Sequence, residues 1–109
     1  MNNSDEFSQL RKGLLEVAVL SAISANEVYA ADIIASLALT EFATSEGTLY
    51  PLLSRMKREN LLGYSWAESA SGPPRKYYRL TKTGQQHLRA LRQYLRSITK
   101  TLDKLGEKS

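Results

Sequence analysis

The sequence predicts an α+β, mostly α fold, on three observations. Apolar residues recur at helical spacing through most of the chain. Two short runs, Tyr64-Ser65-Trp66 and Lys76-Tyr77-Tyr78-Arg79-Leu80, alternate instead and read as strands. Between them Glu68 to Pro74 is rich in Ser, Gly and Pro, which marks a loop and makes a hairpin the simplest connection. At 109 residues, one domain is the default.

Residues 1–9 are polar and read as a flexible N-terminus. From Leu10 to Ile23 the pattern LRKGLLEVAVLSAI is nearly all apolar after Leu14. A helix apolar on most sides is buried on most sides, so this is the expected central helix, with a partner chain as one candidate cover. Gly13 inside it costs about 1 kcal/mol relative to Ala, a loss that close packing by a neighbour would explain. Ser24-Ala25-Asn26 turns the chain. A second helix is expected from about Glu27 to Leu37, with Val28, Ala31, Ile34 and Ala35 at helical spacing. Leu39 to Ala43 is a connector, and Phe42 its expected anchor in the core.

In the third helix Leu49, Leu52, Leu53 and Met56 mark one face. Tyr50, Ser54, Lys57 and Arg58 lie on the other, with Arg55 at the flank. Pro51 poses a choice. If Ser45 caps the helix, Pro51 falls beyond the first turn and should bend it. If Thr48 caps, Pro51 lies where no internal bond is lost, and local preference favours that start. Asn60 suits the left-handed conformation that ends a helix, with Leu61 folding back on the last turn. On the second strand Tyr78 and Leu80 share a face and are assigned to the core. Thr81 caps a last helix. There Leu88, Leu91, Leu95, Ile98, Leu102 and Leu105 step by threes and fours, an a/d seam flanked by Arg89, Arg92, Arg96, Lys100 and Lys104.

Composition narrows the chemistry. The chain has no cysteine and one histidine, which leaves no thiolate metal site and argues against a His-based one or a Ser-His triad. His87 itself is expected at a surface or interface. Neither paired carboxylates nor a phosphate-binding Gly loop appears, so no enzyme, metal or cofactor is predicted. No apolar run approaches the roughly 20 residues that cross a bilayer, and MNNSDEFSQLRKG lacks signal-peptide organisation, so the expected place is the cytoplasm, at the nucleoid. The net charge of +4 conceals a gradient. Residues 1–50 carry two basic and seven acidic side chains, residues 51–80 six and two, and residues 81–109 seven and two. The basic second half fits a polyanionic partner; the plainer alternative is a set of solubilised helix faces.

Three helices, a hairpin and a seam helix, in that order, make a winged helix-turn-helix with a C-terminal dimerisation helix. The expected boundaries are 10–80 for the winged-helix domain, 81–105 for the dimerisation helix and 106–109 for a tail. In helix-turn-helix docking the second helix of the pair enters the major groove, N-terminal end first. That assigns Ser45, Thr48, Tyr50, Ser54 and Arg55 to base edges and nearby phosphates, and Lys57, Arg58, Arg75 and Lys76 to the backbone. Double-stranded DNA is thus the expected partner. The seam Leu88, Leu91, Leu95, Ile98, Leu102 and Leu105 is the expected dimer interface, and a two-fold dimer matches a palindromic operator. Trp66 and the tyrosines are read mainly as strand or core packing; stacking on bases is the sharper alternative.

The chain resembles the PadR family of bacterial transcriptional regulators, in particular its short subfamily and the multidrug-responsive members. The motifs are Gly47-Thr48-Leu49-Tyr50-Pro51, then RMKRENLL from Arg55 to Leu62, then Pro74-Arg75-Lys76-Tyr77-Tyr78-Arg79-Leu80-Thr81, with Gly84 closing. The resemblance spans roughly residues 10–105. It implies a winged helix, a dimer through the last helix, repression by operator binding, and a third helix that continues through Pro51. Members often have Gly-Tyr-Glu where Val28-Tyr29-Ala30 stands, and Gly where Asn60 stands. Multidrug-responsive relatives carry a tryptophan on the last helix, lining a pore between subunits. Leu95 takes the corresponding place here, so a flat aromatic effector lacks its stacking partner. A small-molecule effector is the open partner. The competing functions are a winged-helix protein-interaction module and a small-molecule-binding dimer.

Overall fold

Tyr78 and Leu80 alternate inward on one strand while helix faces from four directions close over them, and this meeting organises the chain. The computed structural model describes residues 6–24, 26–70 and 72–107. The elements are α1 (Ser8–Ile23), α2 (Ala30–Leu37), α3 (Glu46–Arg58), β1 (Leu62–Ser69), β2 (Gly72–Leu80) and α4 (Lys82–Glu107). Residues 1–5 of the expected flexible N-terminus, Ala25 of the turn, Ser71 of the loop and residues 108–109 of the tail lie outside the described residues. Helix α1 begins inside the segment read as flexible, and α4 runs through Gly106 and Glu107.

One core cluster joins Val19, Leu20 and Ile23 of α1, Ile33 of α2, Leu49, Leu53 and Met56 of α3, the strand residues Leu62, Tyr78 and Leu80, and Leu88 of α4. Burial of each large apolar side chain contributes roughly 1.5–3 kcal/mol. Tyr78 and Leu80 are in the core as expected. Phe42 packs partly buried against it.

The strands form an antiparallel hairpin with Leu62 opposite Leu80, Tyr64 opposite Tyr78 and Trp66 opposite Lys76. The ladder reaches Ser69 and Gly72 past an irregularity near Ala67, so most of the expected Glu68–Pro74 loop is strand. Pro73 and Pro74 sit near the start of β2, where a strand tolerates the missing N–H.

The second helix starts later than its periodicity suggested. Val28 exchanges backbone hydrogen bonds with Tyr78, at 3.0 and 2.8 Å, and adds a one-residue bridge to the sheet. Only then does α2 begin, and the Asp32 carboxylate accepts the Tyr29 N–H at 2.9 Å across its first turn. The buried positions are therefore Ala30, Ile33 and Leu37, while Ala31 and Ala35 are exposed.

Helix α3 settles the Pro51 choice against local preference. Ser45 is the N-cap residue, and its carbonyl accepts the Leu49 N–H at 2.9 Å. Pro51 thus lies inside the helix, where its ring removes the bond to the Gly47 carbonyl. Burial of Leu49, Leu53 and Met56 holds the helix together across that gap. Its C-terminus follows expectation: Asn60 has φ 62, the Leu61 N–H reaches the Met56 carbonyl at 2.9 Å, and the Asn60 N–H reaches Lys57 at 3.0 Å. This pair of bonds is a Schellman end.

Thr81 links that end to α4. Its hydroxyl donates to the Asn60 carbonyl at 2.7 Å and accepts the Gly84 N–H at 2.9 Å, the expected cap. A Cβ on Gly84 would collide with the Leu61 carbonyl, so only glycine lets α4 start this close to the end of α3. Gly13 has no such neighbour: among the described residues, apart from its own helix backbone and chain neighbours, nothing lies within 4 Å of a Cβ there.

Candidate nucleic-acid interface

Residues at i, i+4 and i+7 share a helix face, and in α3 that places Tyr50, Ser54 and Lys57 together on the side away from the core. The wing continues the same surface. Along its inner face, Leu62, Leu80 and Tyr78 are buried, Tyr64 and Lys76 half-buried and Trp66 exposed. Between helix and wing runs an open groove of about 500 Å³, lined by Tyr50 and Ser54 of α3, by Trp66, Pro74, Arg75, Lys76 and Tyr78 of the hairpin, and by Tyr29, Ala30 and Ala31 at the start of α2.

Cations in the groove and beside it stand over aromatic rings. Lys57 Nζ lies 4.8 Å from the centre of the Tyr64 ring and Lys76 Nζ 4.5 Å from it, with Lys76 also 5.4 Å from the Trp66 ring. Arg75 stands 5.2 Å over Tyr29, whose ring stacks on Tyr77 at 4.0 Å. Such contacts orient exposed ammonium and guanidinium groups without neutralising them. The positive charge stays available to an anion. Arg58 is exposed on the same helix.

Ser45 and Thr48 lie elsewhere. They border a second hollow of about 350 Å³ at the N-terminus of α3, together with Arg11 and Lys12 of α1. A helix N-terminus carries partial positive charge, and these two side chains add to it, with Glu41 in the same lining and Glu46 in the first turn opposing. Neither Arg11 nor Lys12 stood among the sequence-predicted site residues, because they belong to a helix read as buried in the core or against a partner chain.

Arg55, expected near base edges and phosphates, is engaged by carboxylates of α1 and of the end of its own helix. It donates to Glu16 Oε1 at 2.6 Å and to both carboxylate oxygens of Glu59, at 3.0 and 3.1 Å. The other oxygen of Glu16 meets His87 Nε2 of α4 at 2.9 Å. One carboxylate therefore ties α1 to both α3 and α4. Burial pushes the Glu16 carboxyl up, but hydrogen bonds from Arg55 and His87 outweigh it and hold the group below its ordinary value. The same hydrogen bond, donated to Glu16, holds the Arg55 guanidinium above its ordinary value.

The expected dimer seam divides in two. Leu88 is 5% exposed in its own domain's core and Leu91 packs against that core, so the first of the six serves folding within the chain. Leu95 is half-buried, while Ile98, Leu102 and Leu105 are exposed. Next to the seam an apolar hollow of about 530 Å³ opens between α1 and the end of α2, lined by Val17, Ala18, Phe42 and Leu95 among others.

Residues 19–90 match the Transcriptional regulator PadR-like family. The chain belongs to that family. It is similar to a PadR-like transcription factor of known structure from Bacteroides fragilis, at 42% identity over 93% of this chain and 98% of that one, with a TM-score of 0.80. A PadR-like transcriptional regulator from Bacillus cereus matches at 38% identity over 89% and 95% of the two chains, with a TM-score of 0.78. A PadR family transcriptional regulator from Eggerthella lenta matches at 33% identity over 97% and 93%, with a TM-score of 0.86. The PadR-like protein is thus a DNA-binding transcriptional regulator with a winged-helix fold, not an enzyme. Among the described residues no helix is long and apolar enough to cross a membrane.

Proposed function

We propose that this PadR-like protein is a homodimeric repressor acting at the nucleoid on a palindromic operator. One observation carries the reading: Tyr50 and Ser54 of α3 share a single groove with Arg75 and Lys76 of the wing. Tyr50 and Ser54 meet base edges in the major groove, and Lys57, Arg58, Arg75 and Lys76 meet phosphates on either side. Ser45 and Thr48, beside Arg11 and Lys12, take the phosphate at the helix N-terminus. Arg55 acts indirectly, holding α3 on α1 through Glu16.

The second copy covers the distal seam, Leu95, Ile98, Leu102 and Leu105, and its two-fold axis sets the half-sites about one helical turn apart. A small-molecule effector has one observation in its favour, the apolar hollow beside Leu95. A gel shift on the DNA upstream of the protein's own gene, with salt titration, tests the reading. The expected result is a retarded dimer complex whose affinity falls steeply with salt. Equal affinity for a scrambled duplex refutes operator recognition.

A further inference from the structure

The most exposed large ring of the wing is Trp66, at 62% exposure, on a strand whose inner face is otherwise progressively buried. It touches Tyr64 edge-on, at 6.2 Å and 90°, and the Lys76 ammonium stands 5.4 Å from it. Tyr64 and the Lys76 ammonium therefore contact the indole while much of its surface remains open to water. That surface borders the same groove as Tyr50 and Ser54. Leaving so much apolar ring in water is unfavourable, and burying it against a partner recovers the loss.

We propose that Trp66 is a DNA-contacting residue, its indole packing on the deoxyribose wall of the minor groove next to the major groove that α3 enters. The inference rests on the DNA-binding reading above. Two features select duplex DNA as the occupant. Lys76 stands over the ring, Arg75 lines the same groove, and Lys57 shares the neighbouring Tyr64 ring with Lys76, a positive setting that suits phosphates and repels a basic surface. The groove is also continuous with the exposed face of α3, so a duplex seated on that helix passes the wing. The sugars are the apolar part of the DNA backbone, interleaved with phosphates at a spacing that indole and ammonium groups side by side can match. Contact of this kind adds affinity and responds to the width of the groove, hence to sequence that no side chain hydrogen-bonds.

Trp66 is the only tryptophan in the chain, so its emission reports on this ring alone. The full-length protein is titrated with a fluorescein-labelled duplex from upstream of its own gene. Binding is read by anisotropy and ring exposure by acrylamide quenching. The expected result is severalfold weaker quenching in the complex. Trp66→Ala should bind about tenfold more weakly, as expected for loss of one large apolar side chain buried on binding, with an unchanged salt slope. Trp66→Phe should stay close to wild type. A merely structural role would shift the melting temperature of Trp66→Ala and leave quenching in the wild-type complex as it is in the free protein. Unchanged quenching while anisotropy shows the duplex bound overturns the proposal and leaves DNA binding standing. Failure of the wild type to bind any duplex overturns both.

Discussion

Two hollows of similar size, about 500 Å³ and about 530 Å³, have opposite linings. The groove between α3 and the wing collects hydroxyls, amphipathic rings and cations. The hollow between α1, α2 and Leu95 has no charged residue in its lining. Volume alone says nothing about what either accepts; the lining does. In the groove, cations stay hydrated and attract a polyanion at long range. In the hollow, a partner need desolvate no charge, so apolar cover gains outright. Glu16 lies where these regions meet, with Arg55 on the groove's helix and His87 on the seam's helix.

The sharpest break in this comparison falls on the apolar side. Leu102 and Leu105 are 65% and 60% exposed and lie outside the core cluster. Leu102→Glu with Leu105→Glu should leave the fold intact, yield monomers in sedimentation, and lower duplex affinity by about 100-fold or more, since each buried leucine lost removes roughly 1.5–3 kcal/mol. The joint between the two regions is tested by Gly84→Ala. Its Cβ has no room beside the Leu61 carbonyl, and the variant should lose about 3 kcal/mol in urea unfolding, the range of a severe overpacking. Lys76→Ala strikes the groove alone. It should weaken binding to all duplexes alike and reduce the salt slope by about one, with the dimer unchanged.

The smallest effect belongs to the junction. Because Glu16 is held below its ordinary value of 4.5, its ionised form adds stability in full above that pH, and the contribution is lost as pH falls through the lowered value. Urea unfolding of the wild type should therefore weaken more between about pH 5 and pH 3 than that of Glu16→Gln. Equal slopes would mean that the Arg55 and His87 contacts do not stabilise the folded state.

Much of this was legible in the sequence where the governing physics is local. Asn60 ends α3 because Asn tolerates positive φ, and Thr81 starts α4 because its hydroxyl reaches an N–H three residues on. Period-two alternation put Tyr78 and Leu80 inside, and the order of helices and hairpin followed from the changes in period. On the candidate site, the sequence located the helix and the wing but not the division of labour among their residues. What it could not carry is any pairing between distant positions. Val28 leaves its helical pattern because the Tyr78 backbone offers two hydrogen bonds, 50 residues away. Pro51 stays helical because the core holds the three leucine and methionine side chains around it. Leu88 looks like its seam partners in sequence and is buried by its own domain instead. Arg55 looks like a groove residue and is captured by Glu16, 39 residues earlier, and Trp66, read as strand or core packing, lies on a strand with its ring in the open. Short-range preferences settle where elements begin and end; which side chains meet depends on how those elements pack, because a contact's energy is defined only once both partners are in place.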